Sequence, residues 1–455
     1  MAKQVFRRWD VSQGDLFPQA YLDLVPQDHL VHFVRRVVLE DLDLSAIYAT
    51  YTETKGQPPY DPRLMTALLL YGYCRGVYTS RKLELACEER LDFRALVGNE
   101  HPDHSTISKF RKDHQEHLTA LFVQILVLCR EAGMVKLGHV ALDGTKVKAN
   151  ASKHSAMSYK RMLAAEPELA QVVAEWLDAA KSGDEADDAE LGELLRGDEV
   201  PEHVKAAAHK LLKVAAARAR LEAEAQAKAQ RIAAERARKE EETGEKPRGR
   251  RPKALDGVPE DKTQSNFTDP ESRIMKTKDG YQQAYTAHAA VDAEHQVIVS
   301  QDVTAKQNDG PELVSMVDQI EANVGERPTQ LSADAGYCSE ENLAALDERE
   351  IDGYVATGRQ KHGTPSATGH EEQRQGPLAS AMREKLRAGG WESPYRLRKH
   401  TVEPVFGQIK EARGFRQFLR RGLVNVQAEW ALLCTAHNLL KLAGATAAKP
   451  RRVAV

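Results

Sequence analysis

Three acidic residues stand at positions where a carboxylate could take part in catalysis. Asp143 follows the apolar run HVAL, Asp334 follows QLSA, and Glu403 lies at the predicted start of a helix. In open α/β sheets, functional groups gather where strand ends meet helix starts, so the three side chains can converge despite their separation. Converging carboxylates repel one another, and a divalent cation with oxygen ligands removes that penalty. The three acids therefore predict a site for Mg²⁺ or Mn²⁺.

Lysines near two of these acids indicate what such a metal site would act on. Lys146 and Lys148 follow Asp143, and Lys410 follows Glu403. A site with two divalent ions can activate water or a DNA 3′-hydroxyl and neutralise charge on the phosphate. Lysines hold the phosphate backbone without reading bases. The pattern predicts that the acids bind metal and that the lysines bind the DNA strand.

Length, charge and cysteine content limit the class of protein. The chain has 455 residues, which predicts two or three folding units. A net charge of -3 argues against a uniformly basic surface, although 29% charged residues leave room for local basic patches. The five cysteines form no C-x-x-C pair, which argues against disulfides and thiolate zinc sites. The apolar stretches are too short to span a bilayer. Together with the cysteine content, this predicts a cytoplasmic protein.

Residues 1–135 predict an all-helical N-terminal domain. The pattern predicts one helix entered through Pro62, a second capped by Ser80 that runs through RKLELACEERLDFRALVG, and a third capped by Asp103 or Ser105 that ends at Gly133. Apolar residues recur every three to four positions in these stretches.

The segment STISKFRKD, at the start of that third helix, has two interpretations. It could be only a capped amphipathic helix with Ile107 and Phe110 facing the core. Its other face carries Thr106, Lys109 and Lys112, which could contact DNA from a helix-turn-helix-like unit. Phosphate contact is favoured over base reading.

Residues 136–157 and 264–445 predict an α/β domain. Short β-prone runs such as HVALDGTKVKA and YQQAYTAHAAVD come first, and strands then alternate with helices. A later helix is predicted to begin at Thr401 or Glu403, with Pro404 in its first turn. Asn425 is predicted to cap a last helix that ends at Gly444. Residues 446–455 predict a disordered tail.

Residues 158–263 interrupt this domain with a charged helical insertion. The stretch consists mainly of Ala, Glu, Lys, Arg and Leu, and an apolar seam that includes Val214 and Leu221 is broken by Arg218 and Lys228. This favours one long solvated helix over a paired helical hairpin. The basic loop that follows contains PRGRRPK, which is either a hook for the DNA minor groove or simply a solvated segment.

Three motifs resemble, in order, those of a known family. LDGTKVKANAS, SADAGYCSEENL and TVEPVFGQIKEARGFRQFLRRG are similar to the first-, second- and third-acid motifs of DDE-type transposases of bacterial insertion sequences. The resemblance looks closest to the insertion-sequence 1182 group, a relative of the insertion-sequence 5 group. It implies that Asp143, Asp334 and Glu403 form a metal-binding catalytic triad. It also implies a ribonuclease-H-like core, which is a mixed five-stranded sheet flanked by helices.

The same resemblance implies further roles. HSTISKFRKDH is similar to the segment that closes the family's N-terminal DNA-binding domain. The family's Tyr-Arg-Glu-Lys signature maps onto Tyr395, Glu403 and Lys410. Arg398 stands one residue further from the glutamate than the pattern expects and Lys399 occupies the expected position, so either cation could serve there.

The function implied is that of a transposase that binds terminal inverted repeats, cuts DNA strands and joins them to target DNA. It would work as a homodimer on DNA, with no membrane and no small-molecule substrate. One alternative takes VALDGT as the motif of haloacid-dehalogenase-type phosphatases, but residue 141 is alanine where that chemistry needs an aspartate nucleophile. Another alternative is a non-enzymatic DNA-binding or assembly protein that keeps the core as a scaffold.

Overall fold

The computed structural model describes residues 20–52, 58–191, 200–244, 253–277, 280–306, 310–358 and 376–448. The first part is helical. Its helices are α1 (Leu30–Arg36), α2 (Ser45–Tyr48), α3 (Pro62–Cys74), α4 (Ser80–Glu89), α5 (Leu91–Val97), α6 (His104–Asp113) and α7 (Gln115–Glu131). Asp61 caps α3 and Asp103 caps α6 through side-chain oxygens that accept from backbone N–H groups. The sequence pattern predicted the cap at Asp103 and the entry of α3 through Pro62.

Two of the predicted N-terminal helices are each divided. The stretch from Ser105 to Gly133 forms two helices, α6 and α7, which meet at His114. The buried ring of His114 packs against Phe110 with the ring centroids 4.6 Å apart, and the His114 backbone is not helical. The stretch after residue 80 forms α4 and α5, which separate at Arg90, whose backbone is extended. Thr79, rather than Ser80, caps α4 by accepting from the Lys82 N–H. The prediction of one helix in each stretch was wrong.

A mixed sheet forms the centre of the rest of the chain. Its strands are β1 (His139–Lys148), β4 (Arg273–Thr277), β5 (Gly280–Asp292), β6 (Ile298–Thr304), β7 (Gln330–Ala333) and β8 (Asp352–Val355), while the short strands β2 (Ala156–Ser158) and β3 (Gln264–Asn266) pair with each other. β5 is antiparallel to β1, β4 and β6, whereas β1, β7 and β8 are parallel. The fold is therefore mixed α/β, as predicted.

The sheet has six strands among the described residues rather than the predicted five. The 13-residue β5 is long enough to pair along one edge with two strands in turn. Residues 280–284 pair with β4 and residues 286–291 pair with β6, while the other edge pairs with β1. The spatial order is β6 or β4, then β5, β1, β7 and β8.

Helices cover the sheet and connect it to the N-terminal region. They are α10 (Glu312–Val324), α11 (Glu340–Glu348), α12 (Pro377–Gly389), α13 (Leu397–Gly407) and α14 (Leu423–Ala448). In α14 the buried Trp430 donates its indole N–H to the carbonyl of His288 in β5 at 3.0 Å. One hydrophobic cluster includes residues of α1, α7, the sheet and α14. The domain boundary near residue 135 therefore stays a prediction.

The ends of α14 differ from those predicted. The helix begins at Leu423 and passes Gly444 to reach Ala448. Asn425 does not cap it, because its side-chain amide donates to the Arg421 carbonyl at 2.8 Å. A glycine inside a helix costs about 1 kcal/mol relative to alanine, which the buried face of α14 offsets. Residues 446–448 of the predicted tail are helical, and residues 449–455 lie outside the described part of the chain.

The charged insertion is a helical hairpin of α8 (Tyr159–Leu191) and α9 (Glu202–Thr243). Arg218 of α9 forms an ion pair with Glu166 of α8 at 2.7 Å, and the Tyr159 hydroxyl donates to Glu222 at 2.9 Å, so the two helices run antiparallel. A small core joins them: Met157, Tyr159, Met162, Val214, Ala217 and Leu221. The prediction of a single long helix was wrong because Arg218, which breaks the seam in the sequence, has its partner on the other helix. Most of the PRGRRPK loop lies outside the described residues.

Candidate active site

Asp143 and Asp334 leave neighbouring parallel strands at the same level. Leu142 of β1 pairs with Ala333 of β7, so the next residue on each strand is one of the two acids. Neighbouring strands lie about 4.8 Å apart, which brings the two carboxylates to one edge of the parallel pairing. Asp334 accepts from the Gly336 N–H at 2.9 Å and so caps the short turn after β7. The prediction that this strand ends at Asp143 was wrong. β1 continues to Lys148 because β5 pairs with it along this length.

Glu403 comes to these acids from the middle of α13. The predicted start of this helix at Thr401 or Glu403 was wrong, since α13 begins at Leu397. Pro404 lies inside the helix, where it cannot donate to the carbonyl of His400. The side-chain amide of Gln296 donates to that carbonyl instead, at 2.9 Å. This tertiary contact allows the helix to extend through the proline and carry Glu403 on its first turns.

Arg398 joins two of the three acids. Its Nη2 lies 3.2 Å from Asp143 Oδ2, a residue 255 positions away in the sequence, and its Nη1 lies 3.1 Å from Glu403 Oε1. The Arg398 and Asp143 side chains are only 12% and 13% exposed, whereas Glu403 is 51% exposed. Lys399 is exposed and has no ion-pair partner among the described residues. Of the two cations that the sequence left open, Arg398 is the one in contact with the acids.

The electrostatics of the site reflect this clustering. Burial raises the pKa of Asp143 to about 7, the Arg398 charge opposes that rise, and the charges of Asp334 and Glu403 add to it. Burial also raises the pKa of the Tyr395 hydroxyl, and the nearby Arg398 charge opposes this. The three acids, Arg398 and Tyr395 therefore interact with one another, although they come from three separate parts of the sequence.

The donor set at this site suits a divalent metal ion. In the described part of the chain, no group of three His, Cys, Asp or Glu side chains is arranged to hold a metal ion. Instead, the guanidinium of Arg398 lies between Asp143 and Glu403. Carboxylate oxygens are the ligands that Mg²⁺ and Mn²⁺ prefer, and burial, with the charges of Asp334 and Glu403, raises the pKa of Asp143. The residues fit such an ion once Arg398 releases the carboxylates.

Lys410 lies on the same side of β1 as Asp143. It stands on the π-helical turn Gln408–Ala412 after α13, and its Nζ donates to Thr145 Oγ1 at 2.6 Å and to the Lys146 carbonyl at 2.7 Å. Residues 143 and 145 share one face of the strand because side chains alternate. Sequence reasoning missed Thr145, for which the only signal was the hydroxyl residue in LDGT.

Lys146 and Lys148 lie on the opposite face of β1 from Asp143. Both side chains are exposed, and Lys146 Nζ donates to the Lys276 carbonyl of β4 at 3.2 Å. The strand period of two residues separates positions 146 and 148 from position 143. The structure therefore does not bring these two lysines to the acids, although the sequence places them close by.

The N-terminal candidates lie on α6. Lys109 and Lys112 are exposed, whereas Ile107 and Phe110 are buried, as the amphipathic pattern predicted. Thr106 is engaged locally, because its hydroxyl donates to Asp103 Oδ2 at 2.6 Å as part of the helix cap. Only the two lysines of this set present an unobstructed charge to solvent.

Sequence reasoning also missed the support behind Asp334. The Tyr337 hydroxyl lies 2.8 Å from Nδ1 of the buried His288, and the Tyr337 N–H donates to the Asp334 carbonyl at 3.2 Å. Burial lowers the pKa of His288 to about 4, so this ring is neutral. The aromatic residue in SADAGY was the available signal. The buried pair fixes the turn that carries Asp334.

Two family models of transposases match parts of this chain. Residues 19–113 match a family model described as transposase domain (DUF772), and residues 250–439 match one described as transposase DDE domain. The second range includes Asp334 and Glu403, while Asp143 lies before it. No curated protein and no solved structure matches the chain. No helix in the described segments is long and apolar enough to cross a membrane. With a transposase match in each part, in the order that the motifs predicted, the chain belongs to the DDE-type transposases of insertion sequences.

Proposed function

We propose that this protein binds the terminal inverted repeats of its element, cuts the DNA by metal-dependent hydrolysis, and joins the 3′-hydroxyl ends to target DNA by transesterification. Asp143, Asp334 and Glu403 are the catalytic triad in this proposal. The observation that supports it is that Asp334 follows β7 beside Asp143 of β1, while Arg398 joins Asp143 to Glu403. We assign β6, β5, β1, β7 and β8, in that spatial order, to a ribonuclease-H-like core, and the element to the insertion-sequence 1182-like group.

The triad supplies hard oxygen ligands for Mg²⁺ or Mn²⁺, which would activate the attacking water or 3′-hydroxyl and neutralise charge on the phosphate. Arg398 has a second role in the proposal. Its planar guanidinium pairs with carboxylate and with phosphate through the same paired N–H groups. The side chain that holds Asp143 and Glu403 in the free protein thus holds a phosphate of the bound strand. Tyr395, buried beside Arg398, limits where that guanidinium can move.

The remaining cations contact DNA in this proposal. Lys410, fixed by Thr145 on the same face of β1 as Asp143, contacts the backbone of the strand being cut. Lys399 contacts the backbone from the exposed side of α13. Another set contacts the duplex by its phosphates: Lys146, Lys148, Thr106, Lys109 and Lys112. The two ends of the element require two active sites, so the active form in this proposal is a homodimer on DNA. The cytoplasmic location also stays a prediction.

The competing phosphatase interpretation has no nucleophile available. Ala141, at the position where that chemistry needs an aspartate, is fully buried within β1. An aspartate in place of Ala141 would be buried inside the sheet, so its carboxylate could not reach a substrate unless the sheet opened. The triad remains the group of acids that shares an edge of the sheet.

The test is nicking of a supercoiled plasmid that carries the ends of the element, with and without Mg²⁺. Asp143→Asn, Asp334→Asn and Glu403→Gln remove one charge each and keep side-chain shape, so we expect each to lose at least about a hundredfold in nicking rate. Binding to end DNA should persist in a gel-shift assay. The matched control is Glu392→Gln, an exposed acid close before α13, which should nick at the wild-type rate. Wild-type nicking in the triad variants would refute the proposal.

A further inference from the structure

A cleft of about 600 Å³ lies at the far end of β1 from the catalytic acids. Its walls come from the segment after β1, the start of β5 and the segment before α14. We call it the basic cleft and define it by Lys148, Asn150, Lys153, Tyr281, Gln417 and Arg421. Two motif tails meet here: ANAS of the first-acid motif and RQFLRRG of the third. The catalytic proposal gives neither tail a role.

The charges of the basic cleft have one sign. Lys148, Lys153 and Arg421 are exposed, and none of them has an ion-pair partner within the described segments. No acidic side chain is among the described residues that line the cleft. Three cations in one concave surface repel one another, and an anion of extended shape relieves that repulsion. The cleft also presents amide groups and the 62% exposed Tyr281, which suit contacts to phosphate and sugar.

Hydrogen bonds hold the walls of the cleft together. The Phe418 N–H donates to the Lys148 carbonyl at 2.8 Å, and the Asn150 side chain donates to the Leu419 carbonyl at 2.7 Å. Arg421 Nε donates to the Asn150 carbonyl at 2.9 Å. The cleft is therefore formed before any ligand arrives, and binding does not have to order its backbone.

The position of the cleft relative to Asp143 selects the ligand. Lys148 is five residues beyond Asp143 on one continuous strand, which corresponds to about 17 Å at ~3.4 Å per residue. A ligand that contacts both positions must therefore be extended, as the DNA backbone is. Lys148 and Asp143 lie on opposite faces of β1, so the cleft is separate from the acid site. An extended polyanion that crosses the edge of the sheet would reach both.

We infer that the basic cleft binds the sugar-phosphate backbone of duplex DNA at a position away from the phosphate that is cut. The inference rests on the proposed function for the identity of the polyanion as DNA, and on the charge and shape of the cleft for the contact itself. It assigns Lys148 and Lys153 to phosphate contacts away from the chemistry, and Arg421 to both the wall of the cleft and the same backbone.

The first experiment measures the salt dependence of binding to a fluorescent duplex of mixed sequence. In the full-length protein, Lys148→Gln with Lys153→Gln removes two exposed charges and no side-chain hydrogen bond of the cleft wall. Each lost phosphate contact lowers the slope of log affinity against log salt by about 0.9, so the double variant should lose about 1.8 in slope and about 60-fold in affinity at 0.1 M salt. The matched control is Lys136→Gln, an exposed lysine before the other end of β1, which should keep the wild-type slope. An unchanged slope in the double variant, or a loss confined to single-stranded DNA, would overturn the inference.

The second experiment locates the contact. Single phosphates in an end duplex are replaced by uncharged methylphosphonates. Replacement of the phosphates that contact the cleft, which lie away from the cut, should weaken wild-type binding and leave the double variant unaffected. Sensitivity that is equal in both proteins would overturn the inference. If the wild type nicks DNA but the double variant keeps its salt slope, the cleft assignment fails and the catalytic proposal stands. If the slope falls but no metal-dependent nicking occurs, the catalytic proposal fails and the cleft remains a DNA-binding surface.

Discussion

Asp143, in the middle of β1, and Lys148, at its end, hold their charges in opposite ways. We call the part of β1 around Asp143 the acid end and the part around Lys148 the lysine end. At Asp143 the carboxylate is 13% exposed and pairs with Arg398, whose side chain is 12% exposed. At Lys148 the ammonium is exposed and has no ion-pair partner among the described residues. Both residues belong to one strand, so the difference arises from what packs against each end. α13 covers the acid end, whereas the basic cleft leaves the lysine end open.

This difference separates two kinds of binding. Buried charges cost free energy unless a partner lies nearby, so the acid end must keep an internal cation whenever the carboxylates are ionised. Exposed lysines have little desolvation cost and can bind a phosphate without breaking an internal contact. The acid end therefore suits chemistry with one geometry, and the basic cleft suits backbone contact that tolerates any sequence.

The largest expected effect on stability is at Arg398. Arg398→Gln leaves the buried Asp143 without its cation, so in alkaline chelator-containing buffer the free energy of unfolding should fall by about 3 kcal/mol. Near pH 6 the loss should be smaller, because Asp143 can take up a proton instead of remaining an unpaired charge. Urea denaturation at both pH values measures this. If the variant is as stable as the wild type at every pH, the acid end does not depend on an internal cation.

A second prediction concerns the pH dependence of Asp143. Its pKa is about 7 in the folded protein, against an ordinary value of 3.8. Between these values the folded protein keeps a proton that the unfolded chain has lost, so the stability contributed by this group is full below the lower value and is lost as pH rises to the upper one. Asp143→Asn removes this loss. The stability of the variant relative to the wild type should therefore rise with pH by up to about 1.4 kcal/mol per unit over this range.

The measurement is urea denaturation between about pH 5 and pH 8, in buffer with chelator so that bound metal does not contribute. The difference in unfolding free energy between the two proteins has a constant part, from the changed contact with Arg398, and a part that varies with pH. Only the varying part tests the prediction. A difference that stays flat across this range would mean that Asp143 is not desolvated as its packing indicates. Lys148→Gln is the control from the other end of β1, and its difference from the wild type should stay flat.

Much of the fold could be predicted from local signals. The entry of α3 through Pro62, the cap at Asp103 and the apolar runs of β1, β7 and β8 are short-range features, and the structure confirms them. The insertion could not be predicted in this way. Arg218 looked like an interruption because its partner Glu166 lies on the other helix of the hairpin. Propensity identifies a helix, but it does not identify what the helix packs against.

The start of α13 shows the same limit in a functional element. A proline usually marks the first turn of a helix, and Pro404 was interpreted that way. In the structure Gln296 donates to the carbonyl that the proline leaves free, and this contact comes from a loop after β5. No local rule includes it. The earlier start matters because it places Arg398 inside the helix, where its side chain can reach both acids.

The sequence predicted which residues form the candidate site better than it predicted how they are arranged. Order and flanking motifs selected Asp143, Asp334 and Glu403, and the structure brings these acids into one electrostatic cluster. The lysines after Asp143 were assigned to the same site on proximity in sequence. Strand alternation, which is a sequence rule, would have separated Lys146 and Lys148 from Asp143 had the strand been predicted to continue past the acid. The length of β1 depends on pairing with β5, which the sequence does not display.

The smallest expected effect distinguishes the two adjacent cations of α13. Lys399 is exposed with no ion-pair partner in the described segments, so Lys399→Gln should change the free energy of unfolding by no more than about 0.5 kcal/mol at any pH. Arg398→Gln makes a similar change at the neighbouring position, but Arg398 contacts the acids and Lys399 does not. The difference in unfolding free energy between the two variants therefore measures the effect of that contact. Urea denaturation of both in the same chelator-containing buffer is the measurement. A loss above about 1 kcal/mol in Lys399→Gln, with Arg398→Gln unaffected, would assign the internal cation to the position that the family signature expects and would remove the bridge from the acid end of β1. Equal small effects in both variants would mean that the acid end, like the basic cleft, holds its charges without an internal partner.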